Sequence, residues 1–245
     1  MSSTNNKLPI AESFYSIQGE GKTTGYPAVF VRLAGCNLMC GGNGTQFDNE
    51  LHNGATWRCD TIEVWMKGKM KPFEECLNDE SKLALRNGAN LIITGGEPMM
   101  NQDKVCEFIQ WVRKELNENC FVEVETNGTI KLTPVTIEAV NQFNCSPKLT
   151  NSGNDKNIRY NPEVLNQLNE LNTQFKFVIS SQEDWNEVET DYYFLDKNKI
   201  WLMPSGENQE LLNQTKEIVA EIAKQNYLKY TNRLHIEIWN KKTGV

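Results

Sequence analysis

The chain lacks what several large classes of protein need. No apolar run in its 245 residues approaches the roughly 18–20 residues that cross a bilayer. The opening residues Met1-Ser2-Ser3-Thr4-Asn5-Asn6-Lys7 are polar and lack the apolar core of a signal peptide, so a cytoplasmic protein with no membrane partner is expected. There is no basic excess: 25 Lys and Arg stand against 32 Asp and Glu, a net charge of −7. That excludes a surface that coats nucleic acid, which needs cations to neutralise phosphates. It leaves room for a small anionic substrate held by one or two buried cations. Repeats, low-complexity tracts and the composition shift of a second domain are also missing, so residues 1–245 are expected to form one domain. Apolar residues are sparse at 39%, yet enough for the core of a chain this long.

The cysteines are seven, an odd number. In a cytosolic protein they should be free thiols or metal ligands. Cys76, Cys106 and Cys120 fall in or beside expected helices and read as small buried hydrophobes, as does Cys145. Cys36, Cys40 and Cys59 differ. They follow an apolar stretch, residues 27–34, that reads as a buried strand with Arg32 its one charge. Three thiolates there can hold an iron–sulfur cluster by three of its four irons, leaving the fourth open. The same thiols could bind structural zinc completed by Cys76 or His52, although such sites normally want four ligands in close pairs. On the cysteines alone both readings stay open. Residues 41–58, rich in Gly and Asn, read as an inserted excursion with little core of its own.

Residues 9–26 carry Ser16-Ile17-Gln18-Gly19-Glu20-Gly21, a polar, Gly-rich turn that alternation does not explain. Beyond the cysteines the chain alternates: helix 73–87 closed by Gly88, strand 90–94, then helix 103–117 with Val105, Phe108, Ile109, Val112 and Leu116 on one face. Strand 121–126, a short helix at 134–141, helix 162–171, strand 175–180, helix 184–195 and strand 200–203 follow. Helix 210–225 should turn Leu211, Leu212, Ile218, Val219 and Ile222 inward, and 235–239 reads as a final strand. About six strand–helix units make an α/β fold with a parallel sheet covered by helices. The unusual residues follow the strands, where parallel α/β folds place their active sites.

Among them, Gly95-Gly96-Glu97-Pro98 follows a buried strand, and paired glycines there let a ligand approach the backbone. With it stand Phe14-Tyr15-Ser16-Ile17-Gln18-Gly19-Glu20-Gly21, Phe30-Val31-Arg32-Leu33-Ala34-Gly35-Cys36-Asn37-Leu38-Met39-Cys40, Cys59-Asp60-Thr61, Glu125-Thr126-Asn127-Gly128, Ser146-Pro147-Lys148 and Arg233-Leu234-His235-Ile236-Glu237-Ile238-Trp239. These stretches, spread over nearly the whole chain, resemble the radical S-adenosylmethionine enzymes, and among them the 7-carboxy-7-deazaguanine synthase family.

The resemblance implies a partial (open) parallel β/α barrel and the ring contraction of 6-carboxy-5,6,7,8-tetrahydropterin to 7-carboxy-7-deazaguanine with loss of ammonia. It implies a 4Fe–4S cluster on Cys36, Cys40 and Cys59, S-adenosylmethionine on the open iron, and Mg2+ on the Thr61 hydroxyl. Substrate would meet Ile17, Gln18, Gly19, Thr94 and His235, with Arg32 on its carboxylate. The cofactor would meet Gly96, Glu125, Ser146, Pro147, Lys148, Met203, Pro204, Ser205 and Gly206. No catalytic side chain is expected beyond cluster and cofactor. Plainer roles remain open at three positions: a salt bridge for Arg32, a buried ion pair for Glu125, an inert core histidine for His235. The C-terminal carboxyl is a further candidate for the site. A flavodoxin-like or other reductant and a homodimer are also implied.

One departure from the family pattern stands out. The third cysteine usually lies three positions after the second, with an aromatic residue just before it. Here eighteen residues intervene, Arg58 precedes Cys59, and Trp57 is one place early. That puts the adenine-stacking contact in doubt and makes His52 a possible intruding ligand. Two other functions fit part of the pattern: a glycyl-radical-activating enzyme, and a zinc-bound interaction module without catalysis.

Overall fold

The computed structural model describes residues 6–242 and 244. Residues 1–5, most of the polar opening, and the carboxyl of Val245 lie outside it. In chain order the elements are β1 (Lys7–Ile17), β2 (Pro27–Leu33), α1 (Thr45–Asp48), α2 (Ile62–Trp65), β3 (Lys69–Pro72), α3 (Asp79–Arg86), β4 (Asn90–Gly95) and α4 (Gln102–Glu115). They continue with β5 (Val122–Thr126), α5 (Pro134–Ala139), β6 (Gln142–Cys145), α6 (Lys156–Arg159), α7 (Pro162–Asn169) and β7 (Thr173–Ile179). The last are α8 (Gln182–Asp191), β8 (Ile200–Pro204), α9 (Gln209–Gln225), β9 (Lys229–Tyr230) and α10 (Leu234–Trp239). The strands form one open sheet of nine, ordered β3-β1-β2-β4-β5-β6-β7-β8-β9. From β2 to β9 every pairing is parallel; β1 and β3 are antiparallel additions at one edge. Among the described residues no helix is long and apolar enough to cross a membrane.

The pleat divides the sheet, because successive side chains point to opposite faces. Val29, Val31, Leu33, Leu91, Ile93, Val122, Val124, Phe175 and Phe177 form one face and are fully buried in the main core. The residues between them form the other face: Arg32, Thr94, Glu123, Glu125, Asn144, Gln174 and Lys176. Their registers, Arg32 beside Thr94, Glu125 beside Asn144 and Asn144 beside Gln174, align them across the strands. One face packs against helices, and the other holds polar chemistry.

Local signals account for the helix boundaries. Asn78, Thr133, Asn161, Ser181 and Asn208 each accept a backbone N–H two or three residues into the helix they precede, and Pro134 and Pro162 occupy first-turn positions. The Asn78 cap corrects the expected helix 73–87: α3 begins at Asp79, and Phe73–Glu75 is a separate 3-10 turn. On α4, Val105, Phe108, Ile109 and Val112 are buried as expected. On α9, Leu212, Val219 and Ile222 are buried, but Leu211 and Ile218 are 41% and 49% exposed, so the inward stripe is narrower than expected. Cys76, Cys106, Cys120 and Cys145 are all buried free thiols.

Two segments differ more. The stretch leading into the expected turn at 16–21 is the eleven-residue strand β1, which the sequence did not mark. Pro9 and a β-bulge between Ile10 and Glu12 interrupt the alternation that would have marked it. The expected strand 235–239 is α10. Five alternating residues also fit a helical turn and a half. The sheet edge beside β8 is already taken by β9, and the Leu234 N–H is drawn to the Gly19 carbonyl at 2.9 Å.

Phe177, fully buried, packs edge-on against Tyr192 with ring centroids 4.9 Å apart. Phe177→Ala should cost about 3–5 kcal/mol, read as a lower denaturant midpoint with an unchanged slope.

Candidate functional site

The cluster loop starts where β2 ends, and its two distant cysteines are joined through the backbone. The Cys59 N–H donates to the Cys40 carbonyl at 3.1 Å, although eighteen residues separate them. The excursion closes on itself first, through His52 N–H to Gly41 C=O at 2.7 Å. It is then pinned to the segment after β6: Gly41 N–H donates to Ser152 C=O and Thr56 N–H to Asn151 C=O, both at 2.9 Å. Trp57 adds its indole N–H on Asn151 Oδ1 at 3.0 Å. Within the loop, Thr45 is fully buried and accepts from Arg58 at both its hydroxyl and its carbonyl. The excursion therefore has an anchored interior, more than the sequence led us to expect.

Cys36, Cys40 and Cys59 line one cavity of about 590 Å3. Burial pushes the Cys36 thiol up to about 11 and the Cys40 thiol up to about 12, and the nearby Cys59 adds to both shifts. Such thiols ionise when a cation replaces their protons. Among the described residues no three His, Cys, Asp or Glu groups converge on a single metal ion. A cluster places its thiolates on separate irons, and three cysteines lining one cavity are the set it would need. The groups that would complete a zinc site are engaged elsewhere. His52 Nε2 lies 2.9 Å from Asp48 Oδ2, and the Cys76 thiol donates to Pro72 C=O at 3.2 Å. Neither lines the cavity.

The turn after β4 presses on this loop. Gly96 N–H donates to Leu33 C=O, and Glu97 N–H to Gly35 C=O at 2.9 Å. A Cβ on Gly96 would sit 2.1 Å from the Gly35 oxygen and 2.6 Å from Cys36 Cβ, so only glycine fits. Glu97, fully buried, accepts from Met99 N–H, Thr126 Oγ1 and Asn127 N–H at 3.0, 2.9 and 2.6 Å. Burial raises its carboxyl above the ordinary range. This glutamate staples the turn after β4 to the one after β5.

A second cavity of about 330 Å3 adjoins the first, and Glu20, Asp60, Thr94, Glu125, Glu207 and Arg233 line both. Charged side chains cross this boundary in a continuous run. Lys176 Nζ holds Glu20 and Glu125 at 2.8 Å each, and Arg233 holds Glu20 at 3.2 Å and Asp60 at 2.6 Å. Burial alone would raise the Glu20 carboxyl, but two cations outweigh it and the net direction is down. Glu125 shares only Lys176, and there burial prevails and raises it. Of the two, Glu125 is the carboxyl closer to taking a proton.

Most of the expected site residues meet at these cavities. Thr94, Gly96, Glu125, Ser146, Lys148, Met203, Pro204, Ser205 and Gly206 line the first. Ile17, Gln18, Gly19, Arg32, Thr61, Thr94, Glu125 and His235 line the second. Pro147 is buried and lines neither, shaping the backbone between Ser146 and Lys148. Arg32 is salt-bridged through Nε to Glu12 at 2.8 Å, directly across the strand pair. Glu125 is ion-paired. His235 reaches the second cavity from α10, its ring packed over Gly19, where a Cβ would lie 2.2 Å from Nδ1. Thr61 Oγ1 stands 3.4 Å from Cys59 Sγ. Trp57 and Arg58 both line the first cavity, with the Arg58 guanidinium held by Thr45 and Glu63, so an aromatic side chain is present one position earlier than the family pattern has it.

Sequence reasoning missed Lys176, Glu20, Asp60, Arg233 and Glu12 as site residues. Lys176 carried the signal that singled out Arg32, a lone charge in an apolar strand. Glu20, Asp60 and Arg233 sat inside quoted motifs without a partner to give them a role.

A model of the 4Fe-4S single cluster domain matches residues 17–142. A 7-carboxy-7-deazaguanine synthase of Pyrobaculum aerophilum is 31% identical over 242 residues, covering 97% of each chain. One from Halobacterium salinarum is 30% identical, covering 95% of this chain and 91% of its own. One from Leptospira interrogans is also 30% identical, with 98% and 99% covered. Among solved structures, the crystal structure of QueE from Escherichia coli superimposes with a TM-score of 0.62 at 21% identity, covering 96% of this chain and all of that one. This likeness supports the fold, that of an open, mostly parallel α/β half-barrel.

Two outcomes follow from the geometry. Gly96→Ala should displace the Gly35–Cys36 backbone, seen as reduced iron incorporation at a native circular dichroism spectrum. Burial, then the Arg233 charge, lowers the His235 pKa below 6.5. Between its folded pKa and 6.5 the unfolded chain binds more protons, so stability falls as pH drops through that window. The stability difference between His235→Gln and wild type should change with pH in that window and level off below it, as denaturant titrations at stepped pH would show.

Proposed function

The chain belongs to the 7-carboxy-7-deazaguanine synthase family, and we propose from that premise how its residues divide the work. The activity is that of a carbon–nitrogen lyase: radical ring contraction of 6-carboxy-5,6,7,8-tetrahydropterin to 7-carboxy-7-deazaguanine with loss of ammonia, within deazapurine (queuosine-type) biosynthesis. The observation that carries this reading is the meeting of three thiols in one cavity that opens onto a second one lined by Arg32.

The first cavity takes the 4Fe–4S cluster on Cys36, Cys40 and Cys59 and the S-adenosylmethionine beside it. Together, when bound, they would supply one-electron radical chemistry. Gly96 lets the cofactor approach the backbone. Ser146, Lys148, Met203, Pro204, Ser205 and Gly206 enclose it, Pro147 holds their approach, and Trp57 presents its ring where the family uses an aromatic residue.

The second cavity takes the pterin. Glu12 occupies the Nε side of Arg32, leaving the terminal nitrogens to grip the substrate carboxylate. Ile17, Gln18, Gly19, Thr94 and His235 frame the ring. Glu125, at the boundary, faces both occupants, with its protonation balanced by Lys176. The Thr61 hydroxyl would offer Mg2+ a hard oxygen ligand. The same reading takes the chain as one cytoplasmic domain with the cluster loop inserted at about 41–58, a homodimer served by a flavodoxin-like or other reductant. The glycyl-radical-activating and zinc-bound readings have no specific observation in their favour.

Anaerobic reconstitution with iron and sulfide, then incubation with reductant, S-adenosylmethionine and the carboxy-tetrahydropterin, tests the reading. Visible cluster absorption and 7-carboxy-7-deazaguanine should appear, and Cys59→Ala should abolish both. Stoichiometric zinc without a cluster, or cofactor cleavage without product, would overturn it. Arg32→Gln should lower kcat/KM for the pterin by about 10–100-fold, the worth of one charge-assisted contact, while substrate-independent cofactor cleavage persists.

A further inference from the structure

Each of the three thiols has a hydrogen-bonding neighbour. Leu38 N–H approaches Cys36 Sγ at 3.5 Å, and the Thr61 hydroxyl lies 3.4 Å from Cys59 Sγ. Both come from within two residues of the cysteine. The neighbour of Cys40 comes from 114 positions away: Asn154 Nδ2, at 3.6 Å from the sulfur.

The orientation of that amide is dictated by its surroundings. Met39 N–H points at Asn154 Oδ1 at 2.9 Å, and only an oxygen can accept there. The NH2 end must therefore face Ser152 and Cys40. Its contacts are Ser152 Oγ at 3.1 Å, Ser152 C=O at 3.4 Å and the Cys40 sulfur. Asn154 is buried, at 8% exposure, as is Cys40 at 7%. The backbone behind it is clamped as well. Buried Arg159 donates to Asn154 C=O at 3.1 Å, Lys148 C=O at 2.9 Å and Thr150 Oγ1 at 2.9 Å, and is ion-paired with Glu187 at 2.9 Å. A donor fixed this firmly, in a buried setting, has one evident acceptor that gains charge when the site is loaded.

We propose that Asn154 is a positioning residue of the cluster site: through its side-chain N–H on the Cys40 sulfur it raises the cluster's reduction potential and so eases electron uptake. This rests on the assignment of Cys40 as a cluster ligand. An N–H aimed at a ligating sulfur favours the more negative, reduced state, because the bond to the acceptor strengthens as electron density rises. The anchor on Met39 and the clamp by Arg159 keep the donor in place in both redox states.

Two variants separate this effect from a structural one. Asn154→Asp keeps the shape and the acceptor for Met39 N–H but removes the donor, and Asn154→Ala removes both. Each is reconstituted anaerobically alongside wild type. Iron and sulfide content and circular dichroism are recorded, and the potential is measured by spectroelectrochemical titration with the electron paramagnetic resonance of the reduced cluster. Both variants should load a cluster, and the reduction equilibrium constant should fall about tenfold or more, about 59 mV for a one-electron couple. Asn154→Asp should fall at least as far as Asn154→Ala, because it places a negative charge beside the sulfur. Unchanged potentials in the loaded variants would overturn the proposal. So would failure of both to load a cluster in a natively folded chain, which would make Asn154 an assembly residue. A wild-type protein that takes up no cluster would instead refute the assignment of Cys40.

Discussion

One backbone hydrogen bond, from the amide of Cys59 to the carbonyl of Cys40, is what the rest of the site depends on. The polypeptide leaves the rim of the sheet at Cys40, travels through eighteen residues and must return to the same place. Loop closure costs entropy that rises only slowly with length, so the detour is tolerable if its ends are tied. They are tied by that bond, by the inner closure between His52 and Gly41, and by the Asn151–Ser152 backbone that receives both sides of the loop. The third thiol is thus delivered to a shared cavity by ordinary amide chemistry.

The second constraint is the two-sidedness of the sheet. Strands buried on one face by helices expose every alternate residue to the concave side, and here those residues are Arg32, Thr94, Glu125, Asn144 and Lys176. Unpaired charges in such a place cost several kcal/mol each, and the chain meets that cost by chaining opposite charges from Asp60 through Arg233, Glu20 and Lys176 to Glu125. The run crosses the boundary between the two cavities, so the groups that make the interior tolerable also stand where two reactants would meet. The bulge in β1 contributes to the same end. It reverses the facing of that strand after Ile10, turning Glu12 towards Arg32 instead of into the apolar core.

Local chemistry and periodicity were enough for much of this. The strand–helix alternation from Pro27 to Gln225, the buried cysteines, and the clustering of unusual residues after strands all rest on interactions between near neighbours, which a linear pattern records. The errors share a cause. β1 was hidden by a proline and a bulge. The segment 234–239 alternates as a strand would, yet it is a helix because the available sheet edge was already occupied. Leu211 and Ile218 lie on the apolar stripe of α9 but beyond the reach of the sheet it covers.

The order of residues by itself determined the fold class, the identity of the three thiols and the glycine turn that closes on them, because each follows from residue type, spacing or the family motif. Only the tertiary structure decided which carboxylate shares which cation, that Trp57 lines the cavity of the three thiols, and that an asparagine 114 positions away lies against Cys40. Those contacts join segments distant in sequence, and their geometry exists only once the sheet has set the distances between its strands.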